Sequence, residues 1–250
     1  MAKTYRSAHR AYRERIVARE GEVCFQVVVE QTDLCVVAER DLSAEISLYV
    51  QELRGLIKSY MVLHPEFLKS LVPVPVPAHA SQIVRDMAEA AAACGVGPMA
   101  AVAGAVAEAV AGRFAATSPN ILVENGGDIC LRSTRERVVA LLAVPESGAS
   151  LGLRFSPGEF PVSVCSSSGR VGHSLSFGQG DIVAVRAGTG ALADAAATAL
   201  ANLVRRGSDF GRMLDRARGL EAAGVQGVFA QCEGKVAVWG RMELVGLERG

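Results

Sequence analysis

The amino-acid sequence predicts a single α/β domain in which strands and helices share one core. The length of 250 residues is that of one large domain. Half of the residues are apolar but only 5% are aromatic, so the core is expected to consist mainly of Ala, Val and Leu. Runs rich in Val and Ile alternate with segments whose apolar residues recur at helical spacing. These three observations favour helices packed closely against sheet.

The first part of the chain begins with strands and continues into a helix. Residues 12–30 and 34–40 are rich in Val and Ile, which predicts strands that start a β-meander. Residues 42–63 carry apolar side chains at helical spacing, and His64-Pro65 ends the pattern. Residues 72–77 alternate Val and Pro, which predicts an extended connector inside the domain rather than a central strand.

The remainder predicts Ala-rich helices between further strands. Pro98 suits the first turn of a helix, and the spacing from Gly97 to Gly104 indicates close helix packing. Val and Ile runs flank Asn125-Gly126-Gly127, which is a strong hairpin signal. The predicted helices are 77–94, 98–114 and 191–205, and the later predicted strands are 138–144, 160–169, 181–188 and a terminal hairpin within 226–247.

Charge and composition limit the classes of function. Lys plus Arg and Asp plus Glu both number 26, which argues against nucleic acid or a membrane surface as partner. The basic first twenty residues contain no secretory h-region, so we expect a cytoplasmic protein. Six scattered cysteines form no CxxC pair and are expected to be reduced core thiols without zinc.

The first polar motif is ILVENGGDICLR, residues 121–132. Gly126 and Gly127 allow positive φ and close backbone approach to a nucleotide, while Asn125 and Asp128 can bond ribose, ring or phosphate. The alternative is that the motif is only a β-hairpin. Both interpretations remain open from the motif alone.

The second polar motif is VCSSSGRVGHSLSFGQGD, residues 164–181. We expect a flexible loop here, whose Ser166, Ser167 and Ser168 offer hydroxyls and backbone amides, and whose Arg170 offers a cation, to a phosphate or ring. His173 could donate a hydrogen bond or carry a proton, and Cys165 with His173 could form an activated thiol and its base. The thiol hypothesis requires Cys165 to be accessible and low in pKa. A simply solvated loop is the other alternative.

The third polar motif is GTGALADAAATALANL, residues 188–203. Asp194 and Thr198 are four residues apart and so share one face of a helix. A carboxylate, a hydroxyl and backbone carbonyls, completed by water and phosphate, form the kind of partial site that Mg²⁺ prefers. The alternative is that Asp194 only favours the positive end of an Ala-rich helix, and that Thr198 bonds back to the preceding turn.

These motifs, in this order, resemble the ApbE superfamily of FAD:protein FMN transferases, and in particular a compact uncharacterised cytoplasmic branch. The resemblance rests on GVGPMAAVAGAVAE, VENGGDI, SSSGRVGHSLSFGQGD and ADAAAT and covers essentially the whole chain. It implies one ApbE-like α+β domain over 1–250, with mixed or antiparallel sheets and packed Ala-rich helices. It also implies FAD or FMN and Mg²⁺ as ligands.

The resemblance assigns roles to the residues of all three motifs. Asn125, Gly126, Gly127 and Asp128, with Ser167, Ser168 and Gly169, would bind the cofactor. Ala193 through its carbonyl, Asp194 and Thr198 would hold the metal, and His173 would line the same pocket. With the thiol alternative included, the candidate catalytic residues are therefore Asp194, His173 and Cys165.

Two departures from the flavin transferases leave the activity open. The helix before the NGGD motif carries no Lys-Gly step, and the usual His-x-x-Asp-Pro-x-Thr-Gly loop is shortened to residues 173–178. We therefore expect a nucleotide-binding, flavin-related, Mg²⁺-dependent transferase or phosphoanhydride-cleaving enzyme whose substrate and acceptor protein are unidentified. The alternatives are a thiol-based sulfur-handling or redox enzyme and a non-catalytic accessory protein that kept the pocket. A homodimer is only a base-rate expectation.

Overall fold

The protein combines two antiparallel sheets with a layer of helices, as an α+β fold. The structure, a computed structural model, describes residues 18–141, 150–168 and 181–247. All strand pairs within the two sheets are antiparallel. The α+β class that the resemblance implied is therefore confirmed, with antiparallel rather than mixed sheets in the described part of the chain.

Within the described residues, the larger sheet has eight strands in the order β1-β2-β3-β4-β7-β8-β9-β10, with β1 and β10 at its edges. The strands are β1 Val23–Val29, β2 Thr32–Ala38, β3 Ile121–Asn125, β4 Asp128–Arg132, β7 Val162–Ser167, β8 Ile182–Ala187, β9 Val225–Cys232 and β10 Lys235–Gly240. The smaller sheet has the order β11-β6-β5. Its strands are β5 Arg137–Ala140, β6 Ser150–Phe155 and β11 Leu244–Leu247.

Six α-helices lie in the two long connections of the larger sheet. The connection from β2 to β3 contains α1 to α4, and the connection from β8 to β9 contains α5 and α6. The helices are α1 Ser43–Leu63, α2 Pro65–Lys69, α3 Gln82–Cys94, α4 Val102–Phe114, α5 Gly190–Ala201 and α6 Phe210–Arg218. A short 3₁₀ turn, Pro98–Ala101, leads into α4.

Two hydrophobic cores lie on opposite faces of the larger sheet, because side chains alternate between faces along each strand. On the helix face, Val123, Cys165 and Val185 pack with residues of α1 and of α3 to α6. On the other face, Val164 and Ile182 pack with Leu153 and other residues of the smaller sheet. Neighbouring residues of β7 and β8 therefore belong to different cores, and this alternation decides which motif side chains face the helices.

The sequence-based element predictions differ from the structure in several bounds. The first strand begins at Val23 within the predicted 12–30, of which 12–17 lie outside the described residues. The third helix begins at Gln82 rather than residue 77, and α5 ends at Ala201 rather than 205. Part of the predicted loop 164–181 is strand β7. The predicted strand 138–144 corresponds to β5, Arg137–Ala140, and residues 142–144 of that prediction lie outside the described residues.

The predicted terminal hairpin is only partly correct. Strands β9 and β10 pair around Glu233 and Gly234 as expected. Strand β11 belongs to the smaller sheet instead, where it pairs with β6. The connector 72–77 contains no helix or strand, in agreement with its Val-Pro alternation.

No single helix in the described part of the chain is both long and apolar enough to cross a membrane. Only the two segments Gln82–Cys94 and Pro98–Phe114 would reach that length and apolarity together, and they are bent by 105° at the break between them.

Candidate functional site

The NGGD motif forms a tight two-residue turn between β3 and β4. Gly126 and Gly127 have φ of +70° and +107°, which is the conformation that a type I′ hairpin turn requires at both central positions. The Gly127 amide donates a hydrogen bond of 2.7 Å to Glu124 Oε1, and this side-chain contact stabilises the turn. The hairpin interpretation is therefore correct, and it does not exclude a binding site at the same turn.

Asn125 joins this turn to the start of α4. Its Nδ2 donates to the carbonyl oxygen of Ala103 over 3.1 Å, and its side chain is nearly buried. This contact positions the turn against α4. The predicted contact of Asn125 with a cofactor stays a prediction.

The end of β7 lies against the turn. The Ser166 amide donates to Asp128 Oδ1 over 3.1 Å, and the Ser166 hydroxyl donates to the Gly127 carbonyl oxygen over 3.2 Å. The β4–β7 register pairs Ile129 with Val164 and so brings the first and second motifs side by side. Two of the three predicted constellations therefore meet in the middle of the sheet, where the β3–β4 turn lies beside the end of β7.

Ser167 has an unusual environment in this region. It is 6% exposed, and its hydroxyl has no hydrogen-bond partner among the described residues. Because strand side chains alternate, Ser167 faces the same side of the sheet as Cys165, which is the helix side. A buried hydroxyl without a partner costs about 1–3 kcal/mol, a cost that a polar ligand could remove.

Asp194 on α5 caps a different helix, α4. Its Oδ2 accepts the Gly104 amide over 2.9 Å, and the Ala103 amide also bonds this carboxylate. These amides belong to the first turn of α4, whose own N-cap residue, Ala101, makes no side-chain cap hydrogen bond. The Ala-rich helix whose positive end Asp194 meets is therefore α4 and not α5, which carries Asp194.

Glu108 on α4 makes the reciprocal contact. Its Oε2 accepts the amides of Gly190 and Ala191, at 2.8 Å and 3.5 Å, at the first turn of α5. Each helix therefore supplies the carboxylate that caps the other. Between the two caps the backbones touch, since a Cβ built on Gly104 would lie 2.1 Å from the Gly190 carbonyl oxygen. This close approach agrees with the helix packing expected from Gly104.

The region contains two buried carboxyl groups that repel one another when ionised. Burial raises the pKa of Asp194 to about 7, although the amides of Gly104 and Ala103 oppose the rise. Burial and the negative charge of Asp194 together hold the pKa of Asp128 well above its usual range. A bound cation would relieve both effects, because it stabilises the ionised forms.

The donor set fits a hard cation in chemical type. Asp194 and Thr198 are both nearly buried on α5, and Ala193, which is fully buried, precedes Asp194. Carboxylate, hydroxyl and carbonyl oxygens are ligands of Mg²⁺, which usually keeps several waters as well. The described residues contain no cluster of three or more His, Cys, Asp or Glu able to hold a metal. A cation here would therefore depend on few protein ligands and on oxygen atoms of its substrate.

Cys165 does not meet the requirement of the thiol hypothesis. It is fully buried, with Sγ 3.6 Å from the Gly190 carbonyl oxygen. Burial, together with the charges of Asp128 and Asp194, raises the pKa of the Cys165 thiol well above its usual range. A thiolate nucleophile needs the opposite environment, accessible and electropositive. The Cys165 side chain instead points from β7 to the helix layer and packs against the start of α5.

Two predicted site residues, Gly169 and His173, lie outside the described residues. Ser168 is half-buried at the end of β7. The expectation that all six cysteines are core thiols is wrong for Cys24, which is exposed.

The sequence prediction missed Glu108 and Glu124. Glu124 is fully buried and lines, with Gly127 and Ser166, a small pocket on the face of the sheet opposite the helices. A signal for Glu108 was present, since the string Gly-Ala-x-Ala-acid-Ala occurs at 104–109 and again at 190–195. In both copies the glycine makes the backbone contact and the acid caps the facing helix.

Comparison with known proteins supports one family. The sequence matches the family described as AbpE bacteria over residues 14–238. It is 40% identical over 195 residues to a UPF0280 protein of Methanocaldococcus jannaschii, which covers 76% of this chain and 79% of that protein.

Two solved structures have a similar fold. The flavin transferase ApbE from Vibrio cholerae matches with a TM-score of 0.57 and 12% identity, over 88% of this chain and 96% of that chain. The apo form of the Pseudomonas stutzeri flavinyl transferase ApbE matches with a TM-score of 0.52 and 13% identity, over 88% and 94%. At such identities the likeness shows a shared fold and not a shared reaction. Because the family match covers most of the sequence, the chain belongs to the AbpE bacteria family and is related to the UPF0280 proteins.

Proposed function

We propose that the chain binds a flavin nucleotide together with Mg²⁺ and transfers a nucleotide group or cleaves its phosphoanhydride, in the manner of the flavin transferases whose fold it shares. One observation carries the proposal. Asp128 bonds the end of β7 at Ser166, and the charge of Asp194 on α5 acts directly on Asp128. Residues from all three polar motifs thus belong to one partly buried region, as a nucleotide site requires.

In this proposal the residues of the chain have separate roles. Mg²⁺, when bound at Asp194 and Thr198, would supply positive charge to the phosphate oxygens. The Gly126-Gly127 turn offers close backbone approach, and the buried Ser167 hydroxyl offers a hydrogen bond to the same ligand. With FAD as substrate, an acceptor hydroxyl would take the FMN phosphoryl group and lose its proton, while AMP leaves with the bridging oxygen.

The test must separate metal binding from helix capping, because Asp194 does both in this proposal. Asp194→Asn keeps an oxygen that can accept the Gly104 amide but removes the negative charge, since Asn caps helices about as well as Asp. Asp194→Ala removes both functions. Thr198→Val removes only a hydroxyl from a side chain of nearly the same shape.

Glu108→Gln is the matched control. It makes the same carboxylate-to-amide change at the reciprocal cap, on the helix that carries no proposed metal ligand. We would titrate ligand-stripped protein with FAD and with FMN, with and without Mg²⁺, and follow flavin fluorescence. Mg²⁺-dependent binding should be lost in Asp194→Asn and weakened in Thr198→Val, yet retained in Glu108→Gln.

Other results have definite meanings. Equal losses in Asp194→Asn and Glu108→Gln would assign the effect to helix capping and refute the metal role. Tight FAD binding without release of AMP in the presence of varied acceptors would favour the non-catalytic accessory protein. If neither FAD nor FMN binds, with or without Mg²⁺, a flavin ligand is refuted.

A further inference from the structure

Two cysteine side chains meet on the first hairpin of the sheet. Cys24 on β1 and Cys35 on β2 have their Sγ atoms 3.6 Å apart. In the β1–β2 register Cys24 is opposite Val37 and Cys35 is opposite Gln26, so the cysteines are offset by two residues. An offset of two keeps both side chains on the same face of the sheet. The contact is therefore a consequence of strand register.

The pair differs from the other thiols in access to solvent. Cys24 is exposed, whereas Cys35 and the remaining four cysteines are buried: Cys94, Cys130, Cys165 and Cys232. Burial raises the pKa of Cys94 to about 11, and it also raises the pKa values of Cys130 and Cys165 above the usual range of a thiol. A buried thiol that stays protonated does not react with a solution oxidant. Among the cysteines, only Cys24 is open to such a reagent in the folded state.

We propose that Cys24 and Cys35 form a reversible disulfide, with Cys24 as the thiol that reacts first and Cys35 as the resolving thiol. Bond formation requires the Sγ atoms to approach from 3.6 Å to about 2.05 Å. Among the described strands, β1 has a ladder partner on one side only, so it can shift to allow this approach. The proposal concerns a modification site and is independent of the proposed flavin function.

The chemistry balances with a low-molecular-weight disulfide as the oxidant. The Cys24 thiolate attacks one sulfur of the oxidant, so a mixed disulfide forms and one small thiol leaves. Cys35 then gives up its proton and attacks Cys24 Sγ, which breaks the mixed disulfide and releases the second small thiol. Two electrons and two protons pass from the cysteines to the oxidant.

The disulfide would lie one strand away from the candidate site. Cys35 is directly opposite Glu124 in the β2–β3 ladder, and Glu124 accepts the Gly127 amide at the hairpin turn. Oxidation would therefore link β1 to β2, which is the ladder neighbour of the strand that carries Glu124, without using any predicted site residue.

The sequence offers a direct assay. Trypsin cuts after Arg19 and Arg40, and no Lys or Arg lies between them, so both cysteines fall in one peptide, residues 20–40. Folded full-length protein would be incubated with oxidised glutathione, blocked with N-ethylmaleimide at acidic pH, digested and weighed by mass spectrometry. We expect peptide 20–40 to lose two hydrogen atoms and to carry neither maleimide nor glutathione, and dithiothreitol should reverse the change.

Two variants identify the order of reaction. Cys35→Ser removes the resolving thiol, so Cys24 should keep one glutathione. Cys24→Ser leaves only the buried thiol, so peptide 20–40 should stay free of glutathione in the folded protein. Persistent glutathione on Cys24 of the unsubstituted protein, an unchanged dithiol peptide, or prior reaction of another cysteine would each overturn the proposal.

Discussion

Gly104→Ala tests the contact on which the α4–α5 pair depends. A Cβ at position 104 would lie 2.1 Å from the Gly190 carbonyl oxygen, 2.7 Å from the Gly190 carbonyl carbon and 2.8 Å from Asp194 Cβ. Ordinary contact between such atoms is at about 3.5 Å, so the helices must separate by about 1 Å or more. Two of the three atoms belong to the backbone and cannot rotate away. The substitution therefore acts on the whole helix pair.

The expected cost follows from three contributions. Overpacking costs about 1–3 kcal/mol. Separation also weakens the hydrogen bond from the Gly104 amide to the Asp194 carboxylate, a bond to a charged group worth about 1.5–3 kcal/mol. The better helix propensity of Ala returns about 1 kcal/mol. We therefore expect the free energy of unfolding to fall by about 2–5 kcal/mol.

Urea unfolding followed by circular dichroism measures this change, with Gly112→Ala as the control in the same helix. Position 112 is exposed, and the nearest atom to its Cβ would be an Arg132 side-chain nitrogen at 3.8 Å. Gly112→Ala should therefore stabilise the protein by up to about 1 kcal/mol. A Gly104→Ala midpoint within error of the Gly112→Ala midpoint would refute the reasoning. A midpoint lower by about 1 M would support it.

Three further predictions concern the same region. Without a divalent cation, the free energy of unfolding should fall as pH rises from about 4 to about 7, because Asp194 has a raised pKa in the folded protein and keeps a proton there that the unfolded chain has lost. Urea melts at several pH values measure this dependence, and Asp194→Asn should reduce it. Cys165 should resist iodoacetamide at neutral pH until urea unfolds the protein, and fast labelling in the folded state would contradict its burial. Asn125→Ala should lower the free energy of unfolding by about 1–3 kcal/mol, because it removes the side-chain donor to the Ala103 carbonyl oxygen. An unchanged midpoint of urea unfolding would show that water replaces this donor.

Sequence reasoning identified the elements whose signal is local. The helix at 42–63 was predicted almost to the residue because its apolar positions repeat over several turns, and it is observed as Ser43–Leu63. The NGGD hairpin was predictable because both glycines serve a turn that requires positive φ. The smaller sheet was not predicted, since β6 and β11 are short and nothing local indicates that residue 153 pairs with residue 244. Helix α6, FGRMLDRAR, was missed although Phe210, Met213 and Ala217 stand at helical spacing, because nine residues give that pattern little more than two turns in which to repeat.

The candidate site was predicted as a set of residues rather than as an arrangement. The sequence placed Asp194 and Thr198 on one helix face, which agrees with the observed α5. It could not show that Asp194 caps α4, because that contact joins residues 90 positions apart. For Cys165 the sequence left two expectations open, a core thiol and an activated thiol, and only the packing of β7 against α5 decides for the core. In each case the missing information was which element packs on which.

The reciprocal caps also constrain how the protein can be divided. The α4 cap joins residues 90 positions apart and the α5 cap joins residues 82 positions apart. During synthesis, α4 therefore emerges with an incomplete first turn and keeps it until α5 has been made and docked. An N-terminal fragment that ends before residue 190 lacks Asp194, so the amides of Ala103 and Gly104 would lose their acceptor. If the chain is divided after residue 141 and the two halves are expressed separately, each half should be poorly ordered alone, and helix content should recover when the halves are mixed.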